Sequence, residues 1–253
     1  MKPRYCFWSV AEEEDATRME HCVASAHRRG VYTPFHVLSD REIPGCECYD
    51  SMKGQQASGL HKLIYLKAAI SKLNFEYFVW IEASSLFVRQ PKNLVSSLGR
   101  APAHIPLIVP VDPDDETQLP TGAAAALWAR TMRKAGLQNQ PYFAESAFWV
   151  VHREAVATIC DLANHFRIVA RESGWEADAT PAIAFAVQML CGNPEMHRVA
   201  KRPDLWAVDY THQPSIHCGN EGWDCEIPGF QQSLKVNPAI VHLPLTNTVT
   251  SSP

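Results

Sequence analysis

Glu76-Tyr-Phe-Val-Trp-Ile-Glu-Ala-Ser-Ser-Leu-Phe-Val-Arg89 is the stretch that decides the fold. Tyr77 to Ile81 is apolar without alternation, the pattern of a strand covered on both faces. The run ends abruptly in Glu82 and two hydroxyls, Ser84 and Ser85, and Gln90-Pro91 then breaks the chain into a new segment. An acid at the carboxyl end of a central strand lies where open α/β sheets bind their ligands. The expectation is a buried, central strand with Glu82 at the edge of a cleft.

Strands and helices alternate on the amino-terminal side of this stretch. Tyr5 to Val10 reads as a strand, and the acidic cluster Glu12 to Asp15 favours a helix start through the dipole. Met19, Cys22, Val23 and Ala26 recur at helical spacing before Gly30 supplies a stop. Tyr32 to Leu38 reads as a second strand, ending at Ser39-Asp40. The Pro, Gly and Cys content of 41–59 predicts irregular structure, after which Leu60, Leu63, Leu66, Ile70 and Leu73 mark one face of a helix. The order β-α-β-loop-α-β predicts a Rossmann-like, mostly parallel mixed sheet flanked by helices. A G-x-G-x-x-G turn is missing, which disfavours a dinucleotide-binding dehydrogenase.

Beyond the central strand, Pro106 to Val111 is a strand candidate and Asp112 to Glu116 a polar turn. Gly122 to Ala135 predicts a helix and Phe148 to Val151 a strand. A helix from Arg153 to about Arg171 turns Val156, Ile159, Cys160, Ala163, Phe166 and Val169 or Ala170 to the core. Asp178-Ala-Thr-Pro181 reads as an N-terminal cap with proline in the first turn of a helix reaching Leu190. Trp206 to Tyr210 and Ala239 to His242 are short strand candidates. With no repeat and no low-complexity linker, 1–253 reads as one domain.

The 253 residues are enough for a large core, removing about three quarters of the unfolded surface. Hydrophobic residues make up 46% and charged residues 20%, an ordinary globular balance, and a net charge of -4 argues against a broad nucleic-acid-binding surface. Neither a signal-peptide pattern nor a run of about 20 apolar residues is visible, so a cytoplasmic protein without a transmembrane segment is expected. The eight cysteines then read as reduced thiols. Cys46-Glu-Cys48 and the late His217, Cys218 and Cys225 copy zinc-ligand spacing poorly. Cys6, Cys22, Cys160 and Cys191 fall within apolar or helical patterns and read as buried small hydrophobes.

The ordered motifs carry a family resemblance that spans nearly the whole chain. The strand ending Glu82-Ala83-Ser84 resembles the "hydrophobic strand, D-x-D, turn" segment of nucleotide-sugar glycosyltransferases with the A-type fold, with one acid in place of two. Tyr142-Phe-Ala-Glu-Ser-Ala-Phe-Trp-Val-Val151 looks like the "Y-F-N-S-G-hydrophobic" strand of the glycogenin-like and bacterial galactosyltransferase-like families. Asp178 before an apolar helix is similar to their "D-Q-x-x-L-N" segment, and Ile240-Val-His242 to their late histidine metal ligand. Each motif is degenerate, and the resemblance rests on their order and spacing.

The resemblance implies a donor site at the carboxyl ends of the first strands. Ser9, Val10 and Ala11 would lie by the nucleoside, Asp40 near the base or ribose, and Lys62 facing the phosphates as a mobile point charge. Two alternatives stand beside this: Asp40 ending a strand by turn chemistry, and Lys62 on a solvated helix face. Glu82, Ser84 and His242 would offer manganese or magnesium a carboxylate, a hydroxyl and an imidazole, a set weakened by the missing aspartate. For His242 a core histidine at a strand end is the competing reading. Glu145 and Asp178 are the candidates for the group near the anomeric centre, with Glu145 beside Ala144, where the family pattern has asparagine. Inverting and retaining outcomes both stay open.

Two functions follow. The first is transfer of a sugar from a nucleotide-sugar donor, a UDP-sugar by the resemblance, to a glycan or other hydroxyl acceptor. The second is a degenerate A-type domain that binds nucleotide or glycan without turnover. A sugar-1-phosphate nucleotidyltransferase shares the sheet but needs a glycine-rich, basic phosphate loop, and residues 10–18 offer none.

Overall fold

The computed structural model describes residues 4–50, 59–91, 94–95, 102–104, 108–110, 120–134, 142–144, 148–176, 179–191, 207–209, 217–219, 222–226, 233–236 and 239–242. Strands in chain order are β1 (Tyr5–Val10), β2 (Phe35–Ser39), β3 (Cys46–Asp50), β4 (Tyr77–Ile81), β5 (Ser85–Phe87), β6 (Ala103–His104), β7 (Ile108–Pro110), β8 (Tyr142–Ala144), β9 (Phe148–His152), β10 (Ala207–Asp209), β11 (His217–Gly219), β12 (Gly222–Glu226), β13 (Ser233–Val236) and β14 (Ile240–His242). The α-helices are α1 (Glu14–Arg28), α2 (Gly59–Ile70), α3 (Gly122–Lys134), α4 (Val156–Glu172) and α5 (Ala179–Cys191).

The main sheet runs in the order β3-β2-β1-β4-β9-β6, the last being two residues long. The first four strands are mutually parallel, whereas β9 runs antiparallel to both of its neighbours. The protein is thus α/β, with a mixed, mostly parallel sheet flanked by helices. β4 lies between β1 and β9, and Phe78, Val79, Trp80 and Ile81 are all buried. The unbroken apolar run has the central position it predicted.

Alternation along each strand feeds two cores. Cys6, Trp8, Val10, Phe78, Trp80, Trp149 and Val151 pack with residues of α2, α3, α4 and α5. On the opposite face Phe7, Phe35, Val37, Val79, Ile81 and Val150 meet Ala16, Met19, Cys22, Val23 and Ala26 of α1, together with Phe87 of β5 and Ile240 of β14. Within the first core, Phe166 stacks on Phe185 at 4.4 Å between ring centroids and meets Trp175 edge-on. Each such buried side chain contributes about 1.5–3 kcal/mol.

The helix assignments stand, with shifted ends. The buried face of α1 includes the four residues named from spacing. A 3-10 turn at Arg153–Ala155 precedes α4, whose buried face takes Ala170 and leaves Val169 partly exposed. α2 stops at Ile70, so Leu73 is buried from the following loop rather than from the helix. The Arg153 guanidinium donates to the carbonyls of Ile70 and Leu73, satisfying groups the helix end leaves open. Pro181 is buried in the first turn of α5.

Three strand expectations need correction. β2 starts at Phe35 rather than Tyr32, because Tyr32 turns outward, 77% exposed, and stacks on His27. The segment read as irregular contains β3, which pairs in parallel with β2 from Cys46↔Phe35 to Asp50↔Ser39. The chain returns from Ser39 to Cys46 without a crossover helix, and Gly45, at φ +80, permits the turn against Val23 and His27 of α1. Third, strands lie between the two late candidates as well: β11, β12 and β13 form an antiparallel three-stranded sheet. β7 covers Ile108–Pro110 of the strand expected over 106–111, and residues 106, 107 and 111–116 lie outside the described residues. No described helix is long and apolar enough to cross a membrane.

Candidate functional site

Strand order marks a candidate site. From β1 the chain moves outward to β2 and β3, then crosses back to place β4 on the other side of β1. The order reverses between β1 and β4, and the crevice beyond the carboxyl ends of strands at such a reversal is where open α/β sheets take ligands. Ser9 to Ala11 end β1, Asp40 follows β2 and Glu82 follows β4, so these candidates share one end of the sheet.

Their environments differ. Ser9, Val10 and Ala11 are buried, and the Ala11 N–H already donates to Leu38 O at 2.9 Å. Ser9 Oγ finds no hydrogen-bond partner among the described residues. Asp40 is exposed, and its carboxylate accepts the N–H of Glu13 at 3.3 Å. Glu13 has φ 51 and ψ -115, backbone that a side chain rarely adopts, so Asp40 holds the strained turn between β1 and α1. This bond reaches across to a distant segment instead of closing a local turn after β2, and it leaves Asp40 beside the strand ends.

Glu82 is half-buried. The indole N–H of Trp80 donates to Glu82 Oε1 at 3.1 Å, and Ser85 N donates to Glu82 O at 3.0 Å, closing a tight turn through Ala83 and Ser84. Ala83 is buried in the α1-side core, which fixes the turn against the sheet. β5 leaves this turn and pairs antiparallel with β14, so that His242 stands opposite Ser85, the residue after Ser84. His242 is buried, and Asp209 of β10 stands opposite it on its other side. The fold therefore brings the backbone of Glu82, Ser84 and His242 to one place.

Of Lys62 only the backbone is described, in the first turn of α2; Glu145, which follows β8, and Asp178, which precedes α5, lie outside the described residues. Sequence reasoning missed two residues here. Trp80 was legible in principle, since residues i and i+2 share a face of a strand; Asp209 carried no signal until β10 was paired with β14.

Electrostatically the β1 end is acidic. Glu13, Glu14 and Asp15 are exposed, with Arg18 pairing to Asp15 at 2.6 Å and to Glu14 at 3.5 Å. Such pairs are worth about 0.2–1 kcal/mol each and offset only part of the charge of the acidic cluster, so this end repels a phosphate and favours hydroxyl or base donors. Among the described residues no group of three or more His, Cys, Asp or Glu is placed to hold a metal ion. One carboxylate and one imidazole fall short of the oxygen-rich set that magnesium or manganese takes.

No protein-family model matches the chain, and a search of curated proteins returns no match.

Proposed function

We propose that the protein is a glycosyltransferase of the A-type fold that takes a nucleotide-sugar donor, a UDP-sugar, at the carboxyl ends of β1, β2 and β4, and transfers the sugar to a hydroxyl acceptor. The observation that carries this reading is the reversal of strand order between β1 and β4, with Glu82 at the end of β4 and β14 bringing His242 beside Ser84 and Ser85. The acidic mouth of β1 suits the base and ribose, so the diphosphate lies toward Lys62 at the start of α2. Glu82 meets the donor through its hydroxyls, because a carboxylate next to a diphosphate is repulsive without an intervening cation. Glu145 is the proposed general base or stabiliser at the anomeric centre, and Asp178 contacts the transferred sugar.

Calorimetry with UDP, GDP, ADP and CDP, with and without manganese, tests the donor. Selective UDP binding, together with donor hydrolysis or transfer, supports the enzyme; binding of none of the four overturns it. Manganese that strengthens UDP binding assigns Glu82 and His242 to an ion completed by the nucleotide.

One observation favours a second reading, a domain that binds nucleotide or glycan without turnover. The turn after β4 supplies a single carboxylate, with Ala83 buried and Ser84 where the family pattern carries its second acid. UDP-selective binding with neither transfer nor donor hydrolysis distinguishes it.

A further inference from the structure

We propose that Trp80 is the positioning residue of this site, its indole N–H holding the Glu82 carboxylate in the one orientation that meets the donor. The proposal rests on the glycosyltransferase reading given above. Trp80 and Glu82 are two apart along the end of β4, and Trp80 Nε1 lies 3.1 Å from Glu82 Oε1.

The donor is fixed by its surroundings. Trp80 is 3% exposed and lies within a cross-strand row in which Trp8 of β1 is its partner on one side and Trp149 of β9 on the other. Both flanking tryptophans are themselves buried, and the helices α2 to α5 close over this face. An indole confined in this way keeps one rotamer. The acceptor is equally constrained at its backbone, because Glu82 opens the tight turn closed by Ser85 N. A half-buried glutamate held by a hydrogen bond from a rigid donor has given up its side-chain freedom before ligand arrives, and binding then costs less. A hydrogen bond to an ionised acceptor is also about twice as strong as a neutral one.

This goes beyond packing, which any large apolar side chain would supply at the centre of the row. Only tryptophan among the apolar aromatic residues combines that bulk with a donor that reaches the next residue on the same face.

The test combines proton NMR of the indole N–H with calorimetry using UDP in the presence of manganese. The Trp80 indole resonance, identified by its absence in Trp80→Phe, is expected to move upfield in Glu82→Gln, where an amide replaces the charged acceptor. Trp80→Phe and Glu82→Gln should each weaken UDP binding about tenfold, the size of one hydrogen bond to a charged group. The double variant should be no weaker than Glu82→Gln alone, because Trp80 acts on the donor only through the carboxylate that Glu82→Gln removes. An unmoved indole resonance, or single effects that add, overturns the positioning role while leaving the donor reading in place. Should Trp80→Phe fail to fold, the indole resonance is assigned through bonds on isotope-labelled parent protein and UDP titration replaces the variant: UDP moves the Trp80 resonance in the parent and not in Glu82→Gln, and equal movement in both overturns the proposal. A parent protein that binds no nucleoside diphosphate removes the donor reading and the positioning role together.

Discussion

His242 stands directly opposite Ser85 in the antiparallel β14–β5 pair, which seats a residue from the end of the chain beside the turn that follows the central strand. Two roles predict different outcomes for His242→Ala. A core histidine leaves a cavity and lowers stability by about 1–3 kcal/mol with no effect on ligand binding. A histidine serving the donor site lowers UDP affinity as well, by about tenfold, and this joint loss is expected. Thermal unfolding and calorimetry on the same variant separate the two.

Glu13 offers a sharper test of local strain. Its φ of 51 and ψ of -115 belong to a region that costs a side chain about 1–3 kcal/mol. Glycine adopts it freely but loses about 0.4–1 kcal/mol more backbone entropy on folding. Glu13→Gly should therefore stabilise the protein by about 1 kcal/mol, raising Tm by about 2–4 °C for a chain of this size. Asp40→Ala should do the reverse, since it removes the acceptor that pins the Glu13 N–H. A fall in Tm for Glu13→Gly would mean that the strained turn is stabilised by contacts of the glutamate itself.

The main-sheet frame was legible in the sequence, and its edge was not. Phe78 to Ile81 announced a buried strand because both faces are covered, and β1, α1 and α4 followed from spacing that packing kept. β3 escaped because it is an edge strand joined to β2 by a short return, and Pro44-Gly45 ahead of Cys46-Glu-Cys reads locally as a loop. Parallel neighbours ordinarily need a dozen or more connecting residues, so spacing argued against it as well. At the site, Glu82 and His242 were named from motif order, but their juxtaposition depends on β5 pairing with β14, a contact between distant segments. The bond from Trp80 to Glu82 needed only a strand and an i, i+2 spacing, and was there to be read.

The buried imidazole of His36 gives the fold an acid-sensitive point. Its Nδ1 lies 2.9 Å from Tyr49 Oη and 3.4 Å from Glu47 Oε2, with the Phe75 ring edge-on. Burial lowers its pKa below the ordinary 6.5, and the Glu47 carboxylate opposes that only in part. The unfolded chain therefore takes up this proton more readily than the folded one, so stability from this residue is full above about pH 6.5 and declines as pH falls below it. Urea midpoints on either side of that value should show the decline in the parent. His36→Phe, which cannot titrate, should flatten it; an unchanged acid slope in that variant would assign the effect elsewhere.

Glu82 and Glu145 are expected to fail in different ways when their charges are removed. Glu82→Gln keeps an oxygen for the Trp80 indole, so the turn and the core beneath it should persist, with Tm close to the parent's. The lost charge falls on a group proposed to touch the donor in its bound ground state, so affinity for UDP-sugar drops about tenfold and KM rises accordingly. Glu145 is assigned to the developing charge at the anomeric centre, where an interaction appears only as the bond to the nucleoside diphosphate breaks. Glu145→Gln should leave UDP affinity within a factor of about two and lower kcat by about a hundredfold or more, the usual span for a positioned acid or base. Steady-state kinetics with calorimetry on each variant reads the contrast directly. If both variants keep the parent's affinity and turnover, the acidic end of β4 is a structural feature and the proposed site is misplaced.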